Sequence, residues 1–219
     1  MRALAFRKIS VLKANGTADP GSYIAAGDWC SIGGKTLGGL FPVTYPTKSG
    51  GKTRWVRSLS GFLCNQNAYP ALSYPARGYE RATIKSSGCG VCSACMVVES
   101  MTEHKLSVEE CAKFSLSVGG RDNDGTNMEK LAPPLCERFG LAFEATDDKE
   151  KVLEFLNNNR GMVISNPGGD REGHIGLFTT SGHYIVLAEA RQRTVRVLDP
   201  NLKPDSFDRE GRRGMVFVD

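Results

Sequence analysis

The stretch Ser86-Ser87-Gly88-Cys89-Gly90-Val91-Cys92-Ser93-Ala94-Cys95-Met96-Val97-Val98-Glu99 decides how the rest of the chain is interpreted. Small polar residues and a glycine lead into small and apolar residues without proline, which predicts a buried helix that begins at Cys89. The unpaired amides of a helix N-terminus carry about half a positive charge, and this charge favours a thiolate over a thiol. Cys89 is therefore a candidate nucleophile.

Length and composition indicate a globular protein with enough apolar material for one ordinary domain and a smaller one. The chain has 219 residues, of which 40% are hydrophobic. No apolar stretch has the length of a signal peptide or a membrane span, so we expect synthesis in the cytoplasm without a signal peptide. Seven cysteines is an odd number, and three of them crowd into 89–95, which favours free thiols over a disulfide framework.

The net charge of +4 is divided unevenly along the chain. Nine basic residues stand against two acidic ones in 1–62, a net of +7, whereas 63–219 carries a net of −3. Such a break predicts two modules with these boundaries and with different partners. The basic module favours an anionic polymer as partner, while its few aromatic residues give no support for nucleic-acid binding.

Short apolar-alternating stretches separated by turn residues fill the first module. They predict about five strands in a small all-β barrel, with candidates at 9–12, 23–25, 41–45 and 54–56. The stretch Gly50-Gly51-Lys52-Thr53-Arg54-Trp55-Val56 resembles the last hairpin of bacterial SH3-like wall-binding domains, which implies a cell-wall-binding module. A β-rich extension that packs on the main domain without a ligand of its own is the alternative.

The second module changes from helices to strands along the sequence. Capping boxes at Ser107–Glu110 and Thr126–Glu129 mark two helix starts, and Pro133-Pro134 should interrupt the second of these helices. The predicted helices are 89–101, 107–117, 126–139 and 150–157, and the predicted strands are 162–165, 175–178, 183–188, 194–198 and 215–218. Helices followed by an antiparallel sheet indicate an α+β domain.

A cysteine nucleophile needs a base and a group that holds the base. His183 opens the predicted strand 183–188, and Asp199 directly follows the predicted strand 194–198. If the two strands pair as a hairpin, His183 and Asp199 become neighbours. A surface histidine near a turn carboxylate would have the same spacing, and His174, in a glycine-rich and so mobile loop, is a rival base.

Three segments together carry a family resemblance. Gly88-Cys89-Gly90, then Gly182-His183-Tyr184-Ile185-Val186-Leu187, then Leu198-Asp199-Pro200, resemble the double-glycine-leader-peptidase-like branch of papain-fold cysteine peptidases. The likeness runs from about residue 65 to 201. It implies a papain-like domain, often encoded by phages and Gram-positive bacteria, with Cys89 as nucleophile, His183 as general base and Asp199 as its orienting partner.

The resemblance also implies a role for Gln66, because the family has an upstream glutamine whose amide helps to bind the oxyanion. A solvated loop amide is the alternative for this residue. The chain departs from the family where Val91-Cys92 follows Cys89-Gly90, since a pair such as Pro-Thr is common there.

This departure creates a Cys-x-x-Cys-x-x-Cys run, which leaves a redox pair or a metal centre as alternatives. No buried strand precedes the run, and Cys95 should point away from Cys89 on a helix, so small core-facing side chains at Cys92 and Cys95 are preferred. Asp122-x-Asp124-Gly125 hints at a calcium loop but lacks further ligands, so a solvated helix entry is preferred there. We expect no metal and no cofactor.

These features predict a thiol protease that hydrolyses peptide bonds through a Cys-His-Asp triad. A basic module on an acidic catalytic domain points to the peptide part of peptidoglycan as substrate, as for a phage or prophage lytic enzyme acting at the cell wall after release. Residues 1–62 would hold an anionic wall polymer, and neither a membrane nor a nucleic acid is expected as partner. The alternatives are a non-catalytic phage structural or binding protein with a peptidase-like fold, and a cytoplasmic leader-peptide processing protease.

Overall fold

The structure is a computed structural model that describes residues 2–5, 8–25, 28–34, 36–57, 62–102, 104–191, 194–203, 206–207 and 212. Over these residues the chain combines antiparallel sheets with five helices, so it belongs to the α+β class. Sheet residues dominate before Cys64, and helices dominate between Ile84 and Asn157.

Seven short strands form one antiparallel sheet in the N-terminal part. They are β1 (Arg2–Ala5), β2 (Ile9–Leu12), β3 (Ala18–Ile24), β4 (Trp29–Ile32), β5 (Phe41–Thr47), β6 (Gly50–Val56) and β7 (Phe62–Leu63), in the spatial order β3-β2-β6-β5-β4-β1-β7. Along β5, Phe41, Val43 and Tyr45 are buried while Thr44 is exposed, which is the two-residue period of a strand with one covered face. Gly50 adopts a φ of +110° just after the β5–β6 turn, where a side chain would be strained.

Most of the predicted N-terminal strands coincide with observed ones. The stretches 9–12, 41–45 and 54–56 fall within β2, β5 and β6, and 23–24 ends β3. The sequence pattern did not indicate β1 and β4, which have four residues each and too few alternations to stand out.

The five helices are α1 (Ile84–Ser87), α2 (Cys89–Met101), α3 (Val108–Ser117), α4 (Met128–Phe139) and α5 (Lys149–Asn157). The capping box at the start of α3 is present, with Ser107 and Glu110 each accepting a backbone hydrogen bond from the other. The cap predicted at Thr126 is wrong, because Asn127 caps α4 by accepting a hydrogen bond from the amide of Lys130.

The predicted interruption at Pro133-Pro134 is also wrong, since α4 continues through both prolines. Each proline ring fixes a helical φ angle, but it removes a hydrogen bond and crowds the carbonyl four residues earlier, so the helix needs other contacts to hold it. Leu131 and Leu135 are buried on the other side of α4 and hold the helix against the core.

The C-terminal sheet has the order β10 (Val163–Ser165), β11 (Ile185–Arg191) and β12 (Thr194–Leu198), all antiparallel. A separate two-stranded ladder pairs β8 (Arg121–Asp122) with β9 (Gly125–Thr126). The strand predicted at 175–178 is wrong, because this segment is irregular and Gly176 lies close against the backbone of Gly169. The strand predicted at 215–218 lies outside the described residues.

Two hydrophobic clusters make up the core. One lies within the N-terminal sheet and includes Phe62, and the other surrounds α2 and includes Leu63. Lys105 links the two parts by donating a hydrogen bond of 3.0 Å to the carbonyl of Ile32. Among the helices of the described residues, none combines the length and the apolar character that crossing a bilayer requires.

Candidate active site

The candidate nucleophile Cys89 is the first residue of α2, as the sequence predicts. Gly88 alone separates α1 from α2, and a Cβ at this position would lie 2.6 Å from the carbonyl oxygen of Ile84. Gly90 is just as constrained, because a Cβ there would lie 2.5 Å from the Cβ of Thr126 in β9. The two glycines therefore let the helix start lie close to its neighbours, with a free, half-buried Cys89 thiol between them.

The hairpin of β11 and β12 brings His183 and Asp199 together. In its register Val186 lies opposite Leu198, so the residues just before β11 lie beside those just after β12. His183 Nε2 and Asp199 Oδ1 are 2.7 Å apart, and both side chains are buried. Since a carboxylate only accepts hydrogen bonds, Nε2 carries the proton of this pair.

Cys89 lies beside the His183 ring, close enough to act on it electrostatically. Because Nε2 is held by Asp199, Nδ1 is the nitrogen left to face the sulfur. The structure therefore brings the side chains of Cys89, His183 and Asp199 together in one chain of contacts, although they are far apart in the sequence.

The surroundings of His183 favour its charged form. Burial by itself lowers the pKa of the imidazole, but the hydrogen bonds and charges of Asp199 and Cys89 outweigh it and raise the pKa from 6.5 to about 9. An imidazolium that persists at neutral pH stabilises a thiolate beside it. The structure therefore places a histidine that favours its charged form beside the candidate nucleophile.

Asp199 is itself fixed by backbone contacts. Its Oδ1 also accepts a hydrogen bond of 2.7 Å from the amide of Asn201, which closes a short turn. The carbonyl of the next residue, Pro200, accepts a hydrogen bond of 2.7 Å from the amide of Gln66. The carboxylate thus has one preferred position from which it can hold the imidazole.

Gln66 begins a short 3₁₀ turn (Gln66–Ala68) and is buried. Its Nε2 donates a hydrogen bond of 2.7 Å to the carbonyl of Lys85 in α1, and no group of the described residues bonds its buried Oε1. Gln66 is therefore bound to the segment before Cys89 through its side chain and to the segment after Asp199 through its backbone. One amide hydrogen goes to Lys85.

Sequence reasoning missed several residues that support these groups. Tyr184 lies within electrostatic reach of Cys89 and close to the backbone of Met128 at the start of α4. Tyr74 is fully buried and its hydroxyl contacts Ser115 at 2.7 Å and Thr126 at 3.1 Å, which fixes the wall against which Gly90 packs. A buried tyrosine needs a hydrogen-bond partner, but the sequence does not indicate which residue provides it.

His174, the rival base, lies outside this arrangement. It is exposed in a tight turn in which its backbone exchanges two hydrogen bonds with Arg171. The loop that carries it is closely packed, because a Cβ on Gly176 would lie 2.2 Å from the carbonyl oxygen of Thr179. Gly169 and Gly176 therefore permit a close approach of backbone segments in this loop, whereas Gly173 has no neighbour within 4 Å.

The other cysteines of the Cys-x-x-Cys-x-x-Cys run point into the core. Cys92 and Cys95 are fully buried, and they contact Cys64 and Cys111 respectively. Within the described residues, no three His, Cys, Asp or Glu side chains are arranged to hold a metal ion. Asp122 of the suggested calcium loop is bonded to Asn127 and Lys130.

The comparisons with known proteins return no match: no family model, no curated protein and no solved structure is similar to this chain. The functional argument therefore depends on the geometry of the site.

Proposed function

We propose that the protein is a cysteine peptidase of papain-like architecture that hydrolyses the peptide part of bacterial cell walls. The observation that carries this proposal is the His183 imidazole, which is bonded to Asp199 at 2.7 Å through Nε2 and has the Cys89 side chain within electrostatic reach. A nucleophile, a base within reach of it and a group that orients the base are the three parts that acyl transfer needs.

The reaction begins with the Cys89 thiolate attacking the carbonyl carbon of a peptide bond. The oxyanion that forms lies near the first backbone amides of α2, which are free of intrahelical partners. The second amide hydrogen of Gln66 is a further donor for it. One such donor typically contributes a factor of about 100 to 1,000 in turnover.

The imidazolium of His183 then gives its proton to the leaving amine as the carbon–nitrogen bond breaks, which leaves a thioester on Cys89. Neutral His183 next takes a proton from water, and the resulting hydroxide attacks the thioester carbonyl. The acid product leaves, and the thiolate–imidazolium pair is restored. Asp199 holds the ring in one orientation through both steps and stabilises its charged form.

The N-terminal sheet supplies the second part of the proposal, an SH3-like module that binds an anionic wall polymer. Its net charge of +7 would draw such a polymer to the protein. Two of its groups are well placed for contact, since Lys8 lies over the ring of Tyr23, 4.2 Å from the centroid, and Tyr23 is half exposed. A cation beside an exposed aromatic ring suits a chain of phosphates and sugars.

The decisive experiment measures turbidity and newly released amines when the full chain is added to purified Gram-positive walls. Cys89→Ala and His183→Ala should each abolish clearing, because either change removes the proton-transfer pair. Cys92→Ala is the matched control, since Cys92 lies one turn further along α2 and takes no part in the reaction. Loss of clearing in Cys92→Ala would favour redox or metal chemistry instead.

The same assay separates the proposal from the other two functions. A wild-type chain that sediments with walls but releases no amine would be a binding or structural protein, which contradicts the peptidase proposal. Cleavage of peptides after a double glycine, without any action on walls, would indicate a leader-processing protease.

Wall binding is tested separately with the inactive Cys89→Ala protein, which should sediment with walls at low salt and be released as salt rises. Lys8→Glu should weaken sedimentation, whereas Lys149→Glu at the start of α5 should have no effect. Equal effects of both substitutions would contradict a binding surface on the N-terminal sheet.

A further inference from the structure

Cys92 is a second thiol next to the candidate nucleophile, and the proposed peptidase reaction does not use it. It lies three residues after Cys89 in a regular first turn of α2, where its amide donates a hydrogen bond of 2.9 Å to the carbonyl of Gly88. Residues so spaced have Cα atoms about 5 Å apart in an α-helix. Disulfides span Cα separations of roughly 4.4 to 6.8 Å, so the Cα spacing of this pair allows a bridge once the first turn of α2 adjusts to bring the two Cβ atoms closer together.

The two thiols differ in their access to solvent. Cys89 is half-buried and faces His183, whereas Cys92 is fully buried. Cys92 nevertheless lies within electrostatic reach of Cys89. A reagent from solution therefore reaches Cys89 first, and Cys92 reacts only with a sulfur that is already beside it.

We propose that Cys89 and Cys92 form a reversible disulfide when the protein meets hydrogen peroxide, with Cys89 as the peroxide-reactive thiol and Cys92 as the resolving thiol. The inference depends on the reactivity of Cys89, which the proposed peptidase function also requires. It does not depend on which peptide the protein cleaves.

The chemistry has two steps. The Cys89 thiolate attacks one oxygen of hydrogen peroxide, the oxygen–oxygen bond breaks and hydroxide leaves, which makes Cys89 a sulfenic acid. The sulfur of Cys92 then attacks the sulfur of Cys89, the sulfur–oxygen bond breaks, and the proton of Cys92 departs with that oxygen as water. Two thiols have lost two electrons, and the peroxide has been reduced to water.

The neighbouring thiols explain why Cys92 is the partner. Cys95 lies two turns from Cys89, about 9 Å along the helix axis, which is beyond the limit of about 7 Å for a disulfide. Burial and the contact with Cys64 raise the pKa of Cys92 well above its usual value, so Cys92 is inert toward dissolved reagents. Its closeness to a Cys89 sulfenic acid compensates for this weak nucleophilicity, because the reaction is intramolecular.

The bond would have a direct consequence for the site. A disulfide turns the Cys89 sulfur from His183 toward the core, so the thiolate–imidazolium pair is lost until a reductant restores it. It also protects Cys89 from irreversible oxidation to a sulfinic acid.

The test treats the full-length protein with hydrogen peroxide, blocks the remaining thiols with iodoacetamide and digests it with trypsin. The peptide 86–105, between Lys85 and Lys105, should lack two hydrogen atoms and carry a blocking group on Cys95 alone. Fragmentation should place the bond between Cys89 and Cys92, and dithiothreitol should restore both thiols.

Cys92→Ala is the informative variant and Cys95→Ala its matched control, because both remove a fully buried thiol from α2. Cys95→Ala should keep the disulfide, whereas Cys92→Ala should accumulate a Cys89 sulfinic acid that dithiothreitol does not reverse. Circular dichroism of both variants shows that they are folded before oxidation.

Three outcomes would overturn the inference: linkage of Cys92 to Cys64, linkage of Cys95 to Cys111, or a Cys89 sulfenic or sulfinic acid without any disulfide in the wild-type protein. Alkylation of the untreated protein distinguishes failure of the disulfide hypothesis from failure of the proposed peptidase function. Rapid alkylation of Cys89 together with any of these outcomes rejects the disulfide alone. A Cys89 that reacts with neither iodoacetamide nor peroxide rejects both.

Discussion

Asp199 acts on the site through its charge as well as its hydrogen bond, and the two effects can be separated. Asp199→Asn keeps an acceptor near His183 Nε2 but removes the negative charge, so the imidazolium loses its main stabilising partner. The pKa of His183, about 9 in the wild type, should fall in the variant. At pH values between the two pKa values the variant has a neutral ring, which can no longer protonate a leaving amine.

An NMR titration of the His183 ring checks this expectation directly, and the alkaline limb of the activity profile should move to lower pH by the same amount. Asp124→Asn, in the exposed turn between β8 and β9, is the control and should leave both unchanged. An identical His183 titration in wild type and Asp199→Asn would show that the carboxylate does not govern the site.

Gly90 is required by its contact with β9. An alanine Cβ would lie 2.5 Å from the Cβ of Thr126, an atom fixed to the backbone, so α2 and β9 would have to separate. We expect Gly90→Ala to lower the free energy of unfolding by about 1–3 kcal/mol and to slow alkylation of Cys89. Gly182→Ala is the control, because it adds a methyl group next to His183 where nothing lies within 4 Å. Equal stability of both variants in thermal denaturation would mean that this contact does not constrain the site.

At the scale of single elements, α3 depends on its cap. Ser107 accepts a hydrogen bond from the amide of Glu110 at 3.2 Å, and the carboxylate of Glu110 accepts one from the amide of Ser107 at 3.1 Å. Ser107→Ala should cost about 1 kcal/mol of stability in chemical denaturation. It should leave the alkylation rate of Cys89 unchanged, because α3 packs behind α2. Ser117→Ala at the exposed other end of α3 should cost less, and the reverse order would contradict the role of the cap.

The sequence predicted elements well where a local signal and a side-chain period agree. The helix beginning at Cys89, the capping box of α3 and the hairpin that joins His183 to Asp199 all have such signals, and the structure confirms these elements. The strand expected at 175–178 had an apolar pattern alone. Its segment is instead held by a close approach between Gly176 and Gly169, a backbone contact that the apolar pattern does not indicate.

In the site, too, contacts set by local pairing could be predicted from the sequence, whereas contacts between separate elements could not. The hairpin places His183 beside Asp199 through local pairing, so spacing in the sequence indicated their contact on the condition that the two strands pair. The buried network of Tyr74, Ser115 and Thr126 joins three separate elements, and no local pattern shows which hydroxyl will meet which. Gln66 is an intermediate case. The family resemblance suggested its role in the site, whereas its hydrogen bond to Lys85 is evident only from the structure.

At the scale of the whole molecule, the sheet and the helical part meet near one buried acid. Glu99, on the last turns of α2, is only 4% exposed, and its carboxylate accepts a hydrogen bond of 3.1 Å from the amide of Leu106. Next to Leu106, Lys105 donates to the carbonyl of Ile32 in β4. Burial raises the pKa of Glu99 from 4.5 to about 7, although the Leu106 amide and the Lys105 charge oppose this rise.

This raised pKa makes the stability of the molecule depend on pH. Between pH 4.5 and about 7 the folded protein keeps a proton on Glu99 that the unfolded chain releases. The contribution of Glu99 to the free energy of unfolding is therefore fully favourable below pH 4.5 and is lost as pH rises to about 7. Glu99→Gln removes this titration. As pH rises from 4 to 8, the free energy of unfolding of the wild type should therefore fall by roughly 3 kcal/mol relative to that of the variant. Urea denaturation at both pH values measures the difference, with Glu154→Gln on the exposed side of α5 as control. If the wild type and Glu99→Gln lost stability in parallel over this range, Glu99 would be ionised in the folded state, and the junction between the sheet and α2 would have to hold a buried charge.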